Sequence, residues 1–284
     1  EKLLKLWEGL GYYNRVRNMQ EAAKTVKDEY NGRLPEDYQA LLSLKGIGSY
    51  TAGAIASIAY GEKVPAVDGN VLRVISRITE STEDISRQSV RRKIEQQVSQ
   101  IMPPDCPGDF NQALMELGAV ICVPNGQAKC AECPIAFTCL AHRHDKADMI
   151  PVKAPKKART QDNRTVFIIQ DGECTAIRKR PEKGLLAGLY ELPNTQGHLK
   201  SEDALLYVKE LGLDPLYIEE LPPAKHIFSH IEWRMQAYRI KVSSLKTTQD
   251  KELIFVSKEQ SGKQYAIPSA FGAYAKYIKE ETIR

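Results

Sequence analysis

Residues 44–55, LKGIGSYTAGAI, decide the fold of the N-terminal half of this chain. Apolar residues at helical spacing lie on both sides, so the stretch joins two predicted helices through a Gly-x-Gly turn. Such a turn leaves the backbone around Lys45, Gly46 and Gly48 open at the start of the second helix, where amides can hold a phosphate oxygen. A plain inter-helix turn is the alternative, because a Gly-x-Gly pattern alone is a weak signal.

An acid follows this turn about 20 residues later, in residues 64–74, VPAVDGNVLRV. Asp68 lies among apolar residues, shortly after Pro65 and directly before Gly69. A carboxylate in this setting either caps a helix or closes a turn, or it is kept for chemistry. The sequence therefore predicts a turn that grips a phosphate beside a candidate catalytic acid.

Four of the six cysteines fall within 18 positions, in the pattern C-x7-C-x2-C-x5-C. Disulfides suit small secreted domains rather than a long, Lys-rich chain with helical periodicity. Structural zinc usually shows two close cysteine pairs, whereas this run has one close pair and a single distal cysteine, which favours an iron–sulfur cluster. Cys106 and Cys174 are interpreted as free thiols. The predicted ligands of a [4Fe-4S] cluster are Cys122, Cys130, Cys133 and Cys139.

Length and charge set wider limits on the protein. The chain has 284 residues and a formal net charge of +4 at pH 7. This length holds about two domains of ordinary size, and the mildly basic balance is compatible with nucleic acid without requiring it. No apolar run reaches the roughly 18 residues that span a bilayer, so no membrane segment is predicted. The chain opens on Glu1 rather than Met, and we expect upstream residues, including any targeting peptide, to be missing.

Helical spacing of apolar residues stops near residue 148, where a segment with prolines and several basic residues begins. We predict an all-α domain over 1–147, a linker over 148–163 and an α+β domain over 164–284. The predicted helix-hairpin-helix covers about 41–59. Further predicted elements are strands at 165–170, 174–180 and 231–242 and helices at about 201–211 and 269–279.

These motifs together resemble one protein family. Residues 44–55 followed by 64–74 look like the helix-hairpin-helix and Gly/Pro…Asp elements of the base-excision DNA glycosylase superfamily, and the four-cysteine run resembles the iron–sulfur loop of its cluster-bearing members. WEGLGYYNRVRN at 7–18 and FSH at 228–230 resemble the MutY branch, the adenine DNA glycosylases that act opposite 8-oxoguanine. The resemblance covers nearly the whole chain.

The resemblance implies hydrolysis of the N-glycosidic bond of adenine mispaired with 8-oxoguanine or guanine in duplex DNA. Asp68 would stabilise or covalently trap the oxocarbenium ion, and Asn70 would orient Asp68 or a water. Tyr50 occupies the position where related bifunctional glycosylases carry a Schiff-base lysine, so the enzyme would be monofunctional. Tyr12 would enter the base stack when adenine is flipped out.

The C-terminal half resembles a Nudix-type fold through GLLAGLYELP at 184–193. Nudix hydrolases hold divalent metal on a glutamate-rich helix, but the comparable segment here, ALLYVKELGL at 204–213, keeps Glu210 almost alone. We therefore expect a non-hydrolytic domain that recognises 8-oxoguanine. The family points to Phe228, Ser229 and His230 as its reading residues, and an ordinary turn is the alternative.

Two other functions stay open from the sequence: a lesion-DNA-binding fragment without catalysis, and an endonuclease-III-like glycosylase with lyase activity. The family's N-terminal helices, which carry a glutamate that protonates adenine, are expected upstream of Glu1, so this chain would be impaired. The first cysteine gap of seven residues also exceeds the family's usual six. We expect a monomer on duplex DNA, no membrane partner, and a cytoplasmic, nucleoid-associated location in a bacterium.

Overall fold

The computed structural model describes residues 1–155, 157–248 and 250–278, and the chain divides into two compact units. The helical unit is Arg17–Lys156, and the sheet unit joins Glu1–Val16 to Lys157–Arg284. The first sixteen residues, which include α1 (Lys2–Leu6), thus pack with the C-terminal half, whereas the sequence predicts them in the helical domain.

The helical unit is built from helices where the spacing of apolar residues predicts them. A π-helix, Leu117–Ile121, continues the helix that ends at Glu116 and leads into the cysteine loop. The first four residues of α2 belong to the sheet unit. The α-helices are α2 (Tyr13–Glu29), α3 (Tyr38–Ser43), α4 (Ser49–Tyr60), α5 (Gly69–Ile78), α6 (Gln88–Ile101), α7 (Pro107–Glu116) and α8 (Leu140–Arg143).

Two hydrophobic clusters form the interior of the helical unit. One packs α5, α6 and α7 together through residues such as Val71, Val98 and Leu114. The other packs α2, α3 and α4 through residues such as Leu41 and Ala52. Since α4 lies in one cluster and α5 in the other, the loop between these helices connects the two clusters, and Asp68 stands at its end.

Among its described residues, the sheet unit contains one mixed sheet of seven strands. The central strand β1 pairs in parallel with β6 and antiparallel with β2 and β4. The strand order is β3-β2-β1-β6-β5, with β7 on β2. The strands are β1 (Thr160–Asp171), β2 (Cys174–Lys179), β3 (Tyr190–Glu191), β4 (Asn194–Gln196), β5 (Pro215–Ile227), β6 (Ile231–Val242) and β7 (Leu253–Ser257).

Successive side chains of a strand point to opposite faces of the sheet, and here each face is covered by a hydrophobic cluster. Val166 and Ile168 of β1 join the cluster that the 3₁₀-helix Ser269–Tyr277 covers. Phe167 of the same strand joins the opposite cluster, which includes residues of α9 (Ser201–Glu210). The sheet is therefore the middle layer of the unit.

The first sixteen residues are bound to the sheet unit by specific contacts. Nζ of Lys5 donates to the carbonyl oxygen of Tyr265 at 2.9 Å, just beyond α10 (Lys258–Gln264). The amide of Ile267 donates to Oε1 of Glu8 at 2.8 Å. These polar contacts explain the difference from the predicted domain division. A small apolar core strengthens them and consists of Tyr13, Leu189 and Ala266.

The strands β2 and β6 lie within a residue of their predicted positions. β1 begins at Thr160, within the predicted linker, and β3, β4, β5 and β7 were not predicted. β5 contains Pro222 and Pro223, which argue against a strand, and its pairing with β6 is irregular at that point. An edge position tolerates this, since one side of the strand has no partner to lose. The predicted helix over 269–279 is a 3₁₀-helix as far as Tyr277, and residue 279 lies outside the described residues.

None of the helices in the described parts of the chain has the length and apolarity that crossing a bilayer requires.

We predict that Ile168→Ala destabilises the sheet unit by about 2–5 kcal/mol, because Ile168 is fully buried and its truncation leaves a cavity. Leu206→Ala on α9 is the matched control, since that side chain is 57% exposed. Tryptophan fluorescence during urea unfolding measures the effect, because both tryptophans of the chain, Trp7 and Trp233, lie in the sheet unit. Equal unfolding midpoints for the two variants would contradict the assignment of this core.

Candidate functional site

Asp68 caps the N-terminus of α5, and both of its carboxylate oxygens accept hydrogen bonds. Oδ1 accepts from the backbone amides of Asn70 and Val71, each at 2.8 Å, and Oδ2 accepts from Nδ2 of Asn70 at 2.9 Å. The positive end of the helix dipole also stabilises the negative charge. The capping role that the sequence left as an alternative is thus present. It also holds a half-buried carboxylate in one orientation, as electrostatic catalysis requires.

Arg73, which is 5% exposed, connects Asn70 to the chain beyond α7. Its Nη2 donates to Oδ1 of Asn70 at 2.9 Å and to the Gly118 carbonyl at 2.7 Å, and its Nε donates to the Cys122 carbonyl at 2.7 Å. Burial lowers the pKa of the Arg73 guanidinium, and the charges of Cys122 and Asp68 act in the opposite direction. A chain of hydrogen bonds therefore runs from Asp68 to the first cysteine of the loop.

The π-helix makes this arrangement possible. A Cβ atom at Gly118 would lie 2.5 Å from Cβ of Asn70, so only glycine fits at this point of contact. π-helical turns are rare in proteins, and those that occur often lie at functional sites. Here the turn brings the Gly118 carbonyl to Arg73 and places the candidate orienting residue Asn70 against bare backbone.

The predicted helix-hairpin-helix is present, with α3 and α4 joined by an exposed turn. Gly46 has φ of +82°, and a Cβ there would lie 2.5 Å from Cβ of Asn18, so glycine is required on both counts. Gly48 is the N-cap of the twelve-residue helix α4, and Lys45 is exposed beside it. The turn thus presents backbone amides, a helix N-terminus and a cation on one exposed connection, which suits a phosphate.

Tyr50 lies in the first turn of α4 and is 40% exposed. Its hydroxyl contacts Sδ of Met115, which lies in α7, at 3.5 Å. The position therefore carries a phenol with an accessible face and no amine, so this residue cannot form a Schiff base.

Tyr12 is the residue that the family resemblance predicts to enter a base stack. Its side chain is 80% exposed, and its backbone adopts the left-handed φ of +45° between Gly11 and Tyr13. Such a conformation is uncommon for a bulky residue and is held by neighbouring contacts. One of these is the hydrogen bond from Nε1 of Trp7 to the carbonyl of Gly11 at 2.9 Å. Tyr12 belongs to the sheet unit, whereas Asp68 belongs to the helical unit.

The four predicted cysteine ligands surround one cavity of the helical unit. Cys122, Cys130, Cys133 and Cys139 all line it, together with apolar side chains such as Ile121. Within the described ranges, no three His, Cys, Asp or Glu side chains converge closely enough to hold a single metal ion. Four thiol sulfurs around one cavity are a donor set that an iron–sulfur cluster can use.

The charge around this cavity is consistent with an iron–sulfur site. Burial raises the pKa of the Cys130 thiol, and the other three cysteines raise it further. A bound metal centre would stabilise the thiolate form of Cys130. Nη1 of Arg77 donates to Sγ of Cys122 at 3.2 Å, and Nε of the same side chain donates to the Ile150 carbonyl at 2.8 Å.

Residues 228–230 form the turn between β5 and β6. The amide of Phe228 donates to the Ile231 carbonyl at 2.8 Å, and its ring packs edge-on against Trp233 with centroids 5.1 Å apart. Ser229 and His230 are exposed, with Oγ of Ser229 3.3 Å from Nδ1 of His230. Phe228 thus anchors the turn, and two polar side chains are left free to contact a ligand.

His226 supports this turn rather than extending its polar surface. Its ring packs edge-on against Phe228 with centroids 4.6 Å apart. Burial lowers the pKa of His226 below its ordinary value, so the neutral form is favoured. A structural role for His226 therefore fits better than a phosphate contact.

Comparison with known proteins agrees with both halves of this description. Residues 1–100 match the family model of the HhH-GPD superfamily of base excision DNA repair proteins, and residues 165–277 match that of the NUDIX domain. Over 86% of its length the chain is 35% identical to an adenine DNA glycosylase of Arabidopsis thaliana, and over 84% it is 33% identical to that of Homo sapiens. It belongs to the MutY family.

A bacterial relative, the adenine DNA glycosylase of Buchnera aphidicola subsp. Acyrthosiphon pisum (strain APS), is 32% identical over 81% of this chain. The chain spans 43% of the Arabidopsis relative, 53% of the human one and 65% of the bacterial one. This MutY-family chain therefore represents less than two thirds of the length of each of these proteins.

Sequence reasoning on this MutY-family chain missed Arg73 and Arg77. The two arginines lie one helical turn apart in α5, and both are buried together with most of the residues of this helix. A buried guanidinium needs partners for its five donors, so their spacing was a usable signal that carbonyl or thiolate acceptors lie alongside. The identity of those acceptors could not be obtained from α5 alone.

We predict that Arg73→Leu destabilises the helical unit by about 3 kcal/mol or more, because three buried acceptors lose their donor. Arg92→Leu on α6 is the matched control, since Arg92 is exposed. Thermal unfolding followed by circular dichroism measures the difference. A melting temperature for Arg73→Leu equal to that of the control would contradict the role given to this guanidinium.

Proposed function

We propose that this chain serves the base-excision step of DNA repair, the hydrolysis of the N-glycosidic bond of adenine mispaired with 8-oxoguanine or guanine in duplex DNA, with the reduced activity that the sequence predicts. The observation that carries the proposal is the Asp68 carboxylate, oriented at a helix N-terminus next to a helix-hairpin-helix. The adenine DNA glycosylases to which the chain is similar supply the choice of base.

The chemistry follows from the charge that develops on the sugar. As the bond to adenine breaks, the deoxyribose acquires oxocarbenium character, which the negative Asp68 stabilises or traps by forming a covalent bond to the anomeric carbon. Asn70 holds Oδ2 of Asp68 and so fixes the direction of the carboxylate. Water then adds a hydroxyl group to the anomeric carbon in place of the carboxylate or the departing base, and its proton balances the one that adenine gains on leaving, so that an abasic site and free adenine remain.

Tyr50 makes the reaction monofunctional. Strand cleavage by bifunctional glycosylases passes through a Schiff base, which needs an amine that a tyrosine lacks. An endonuclease-III-like lyase is the less favoured function for this reason.

DNA binding is assigned to two separate features. The exposed turn with Lys45, Gly46 and Gly48 would hold a backbone phosphate through amides and a cation. Tyr12, exposed and fixed in an unusual backbone conformation, would fill the stack when adenine leaves it.

The sheet unit would recognise 8-oxoguanine on the DNA strand opposite the adenine. Ser229 offers a hydroxyl that both donates and accepts, which matches the N7–H and O8 groups that distinguish 8-oxoguanine from guanine. His230 lies beside it, and Phe228 holds the turn in place through Trp233. Duplex DNA contacted in this way needs one copy of the chain, so we expect a monomer, at work in the cytoplasm if the source is bacterial.

Cys122, Cys130, Cys133 and Cys139 would hold a [4Fe-4S] cluster in the cavity they line. Four thiolate bonds to the cluster would cross-link the cysteine loop. Arg77 would then donate to a ligating sulfur and tune its basicity.

We predict that Cys130→Ser yields purified protein with markedly less iron and acid-labile sulfide than the unaltered chain, because one thiolate ligand is lost. Cys106→Ser is the matched control, since Cys106 is exposed and does not line the cavity. Full iron content in Cys130→Ser, or stoichiometric zinc in the unaltered chain, would refute the cluster assignment.

We predict that Asp68→Asn lowers adenine release by about 100-fold or more, because the amide cannot stabilise the cationic sugar. The measurement is single-turnover base release from a duplex with adenine opposite 8-oxoguanine, with protein in excess. Binding of the same duplex should be retained, since Asp68 contributes to chemistry rather than to DNA affinity. Tight binding without release by either protein would instead indicate a recognition fragment.

A further inference from the structure

Asn111 of α7 forms hydrogen bonds with the loop that leads to Asp68. Its side chain is fully buried. Oδ1 accepts the backbone amide of Ala66 at 3.0 Å, and Nδ2 donates to the Val64 carbonyl at 3.0 Å and to Oγ of Ser57 in α4 at 2.8 Å. One side chain therefore joins α7 and α4 to the segment just before the candidate acid.

Only an amide of this length satisfies these partners. The Ala66 amide can only donate and the Val64 carbonyl can only accept, so the orientation of the Asn111 amide is determined. An aspartate would lack the two donor hydrogens, and a leucine would lack every polar partner. Loss of the amide would leave backbone groups of the loop unpaired in a buried place, which is costly.

The rest of the loop is fixed by the burial of Ala66 and Val67 and by backbone hydrogen bonds at Glu62. Residues 61–68 form no helix or strand. On the α4 side, a Cβ at Gly53 would lie 2.2 Å from the Pro65 carbonyl oxygen, so the helix backbone itself presses on the loop. The loop is thus held by packing and by hydrogen bonds, and those from Asn111 reach residues 64 and 66, just before Asp68.

The three hydrogen bonds of Asp68 come from Asn70 and Val71, so they fix the carboxylate relative to α5 only. Its position relative to α4, which carries Tyr50 and follows the candidate phosphate-binding turn, depends on the packing of α5 and on the loop that joins the two helices. The geometry points to Asn111 as a positioning residue for Asp68. This deepens the proposed function and rests on it: Asn111 sets where the negative charge meets the sugar.

The test measures charge placement without requiring turnover. Two duplexes carry an abasic-site analogue opposite 8-oxoguanine, one with a neutral tetrahydrofuran and one with a cationic pyrrolidine that mimics the oxocarbenium charge. The unaltered 284-residue chain should bind the cationic duplex about tenfold more tightly than the neutral one, because a close opposite charge contributes at least that factor. Asp68→Asn should abolish this preference.

Asn111→Ala should remove most of the preference for the cationic analogue and leave affinity for the neutral analogue unchanged. Asn111→Asp is a second variant of nearly equal volume, which creates no cavity but cannot donate to the Val64 carbonyl, and it should lose the preference as well. Ser57→Ala is the matched control. It removes the contact of Asn111 with α4 while both loop contacts remain, so it should keep the preference.

Loss of the preference in the Asn111 variants, with retention in Ser57→Ala, supports the inference. Retention in either Asn111 variant, while Asp68→Asn loses it, overturns the inference alone. Equal preference in the unaltered chain and Asp68→Asn overturns the proposed role of Asp68 and the inference with it. A fall in neutral-analogue affinity equal to the fall in cationic-analogue affinity shows a merely structural role and also overturns the inference.

Discussion

A buried guanidinium needs hydrogen-bond acceptors for its donors, and three segments of the helical unit supply them to Arg73. These acceptors come from α5, from the π-helix and from the first residue of the cysteine loop. A shift of any of these segments would weaken the hydrogen bonding of a buried charge, which is costly in a medium of low dielectric constant. The candidate catalytic residue and the candidate cluster ligand are thus parts of one hydrogen-bonded assembly.

The same groups serve stability and chemistry at Asp68. Capping α5 satisfies free amides at the helix start, and it also holds a carboxylate in one orientation with its charge stabilised. An acid that must not reorganise during bond cleavage is well placed at such a position. The two interpretations of Asp68 that the sequence leaves open therefore describe one arrangement.

Much of the fold could be predicted because it depends on local patterns. The glycines at 46 and 48, the Asp-Gly step at 68–69 and the alternation within β6 are each visible within a few residues. What could not be predicted depends on contacts between distant residues. Asn111 and Ala66 are 45 positions apart, and Lys5 and Tyr265 are 260 apart. β5 was missed because two adjacent prolines argue against a strand, and only the position of β5 at the sheet edge makes them acceptable.

Those prolines have a consequence for how the protein behaves among other copies of itself. β5 is the outermost strand on its side of the sheet, and an edge strand of this length normally offers a row of donors on which a foreign strand can assemble. Pro222 and Pro223 have no N–H to offer, and the bulge beside them bends the row. The same prolines that argue against a strand in the sequence therefore also oppose the pairing of β5 with a strand of another copy.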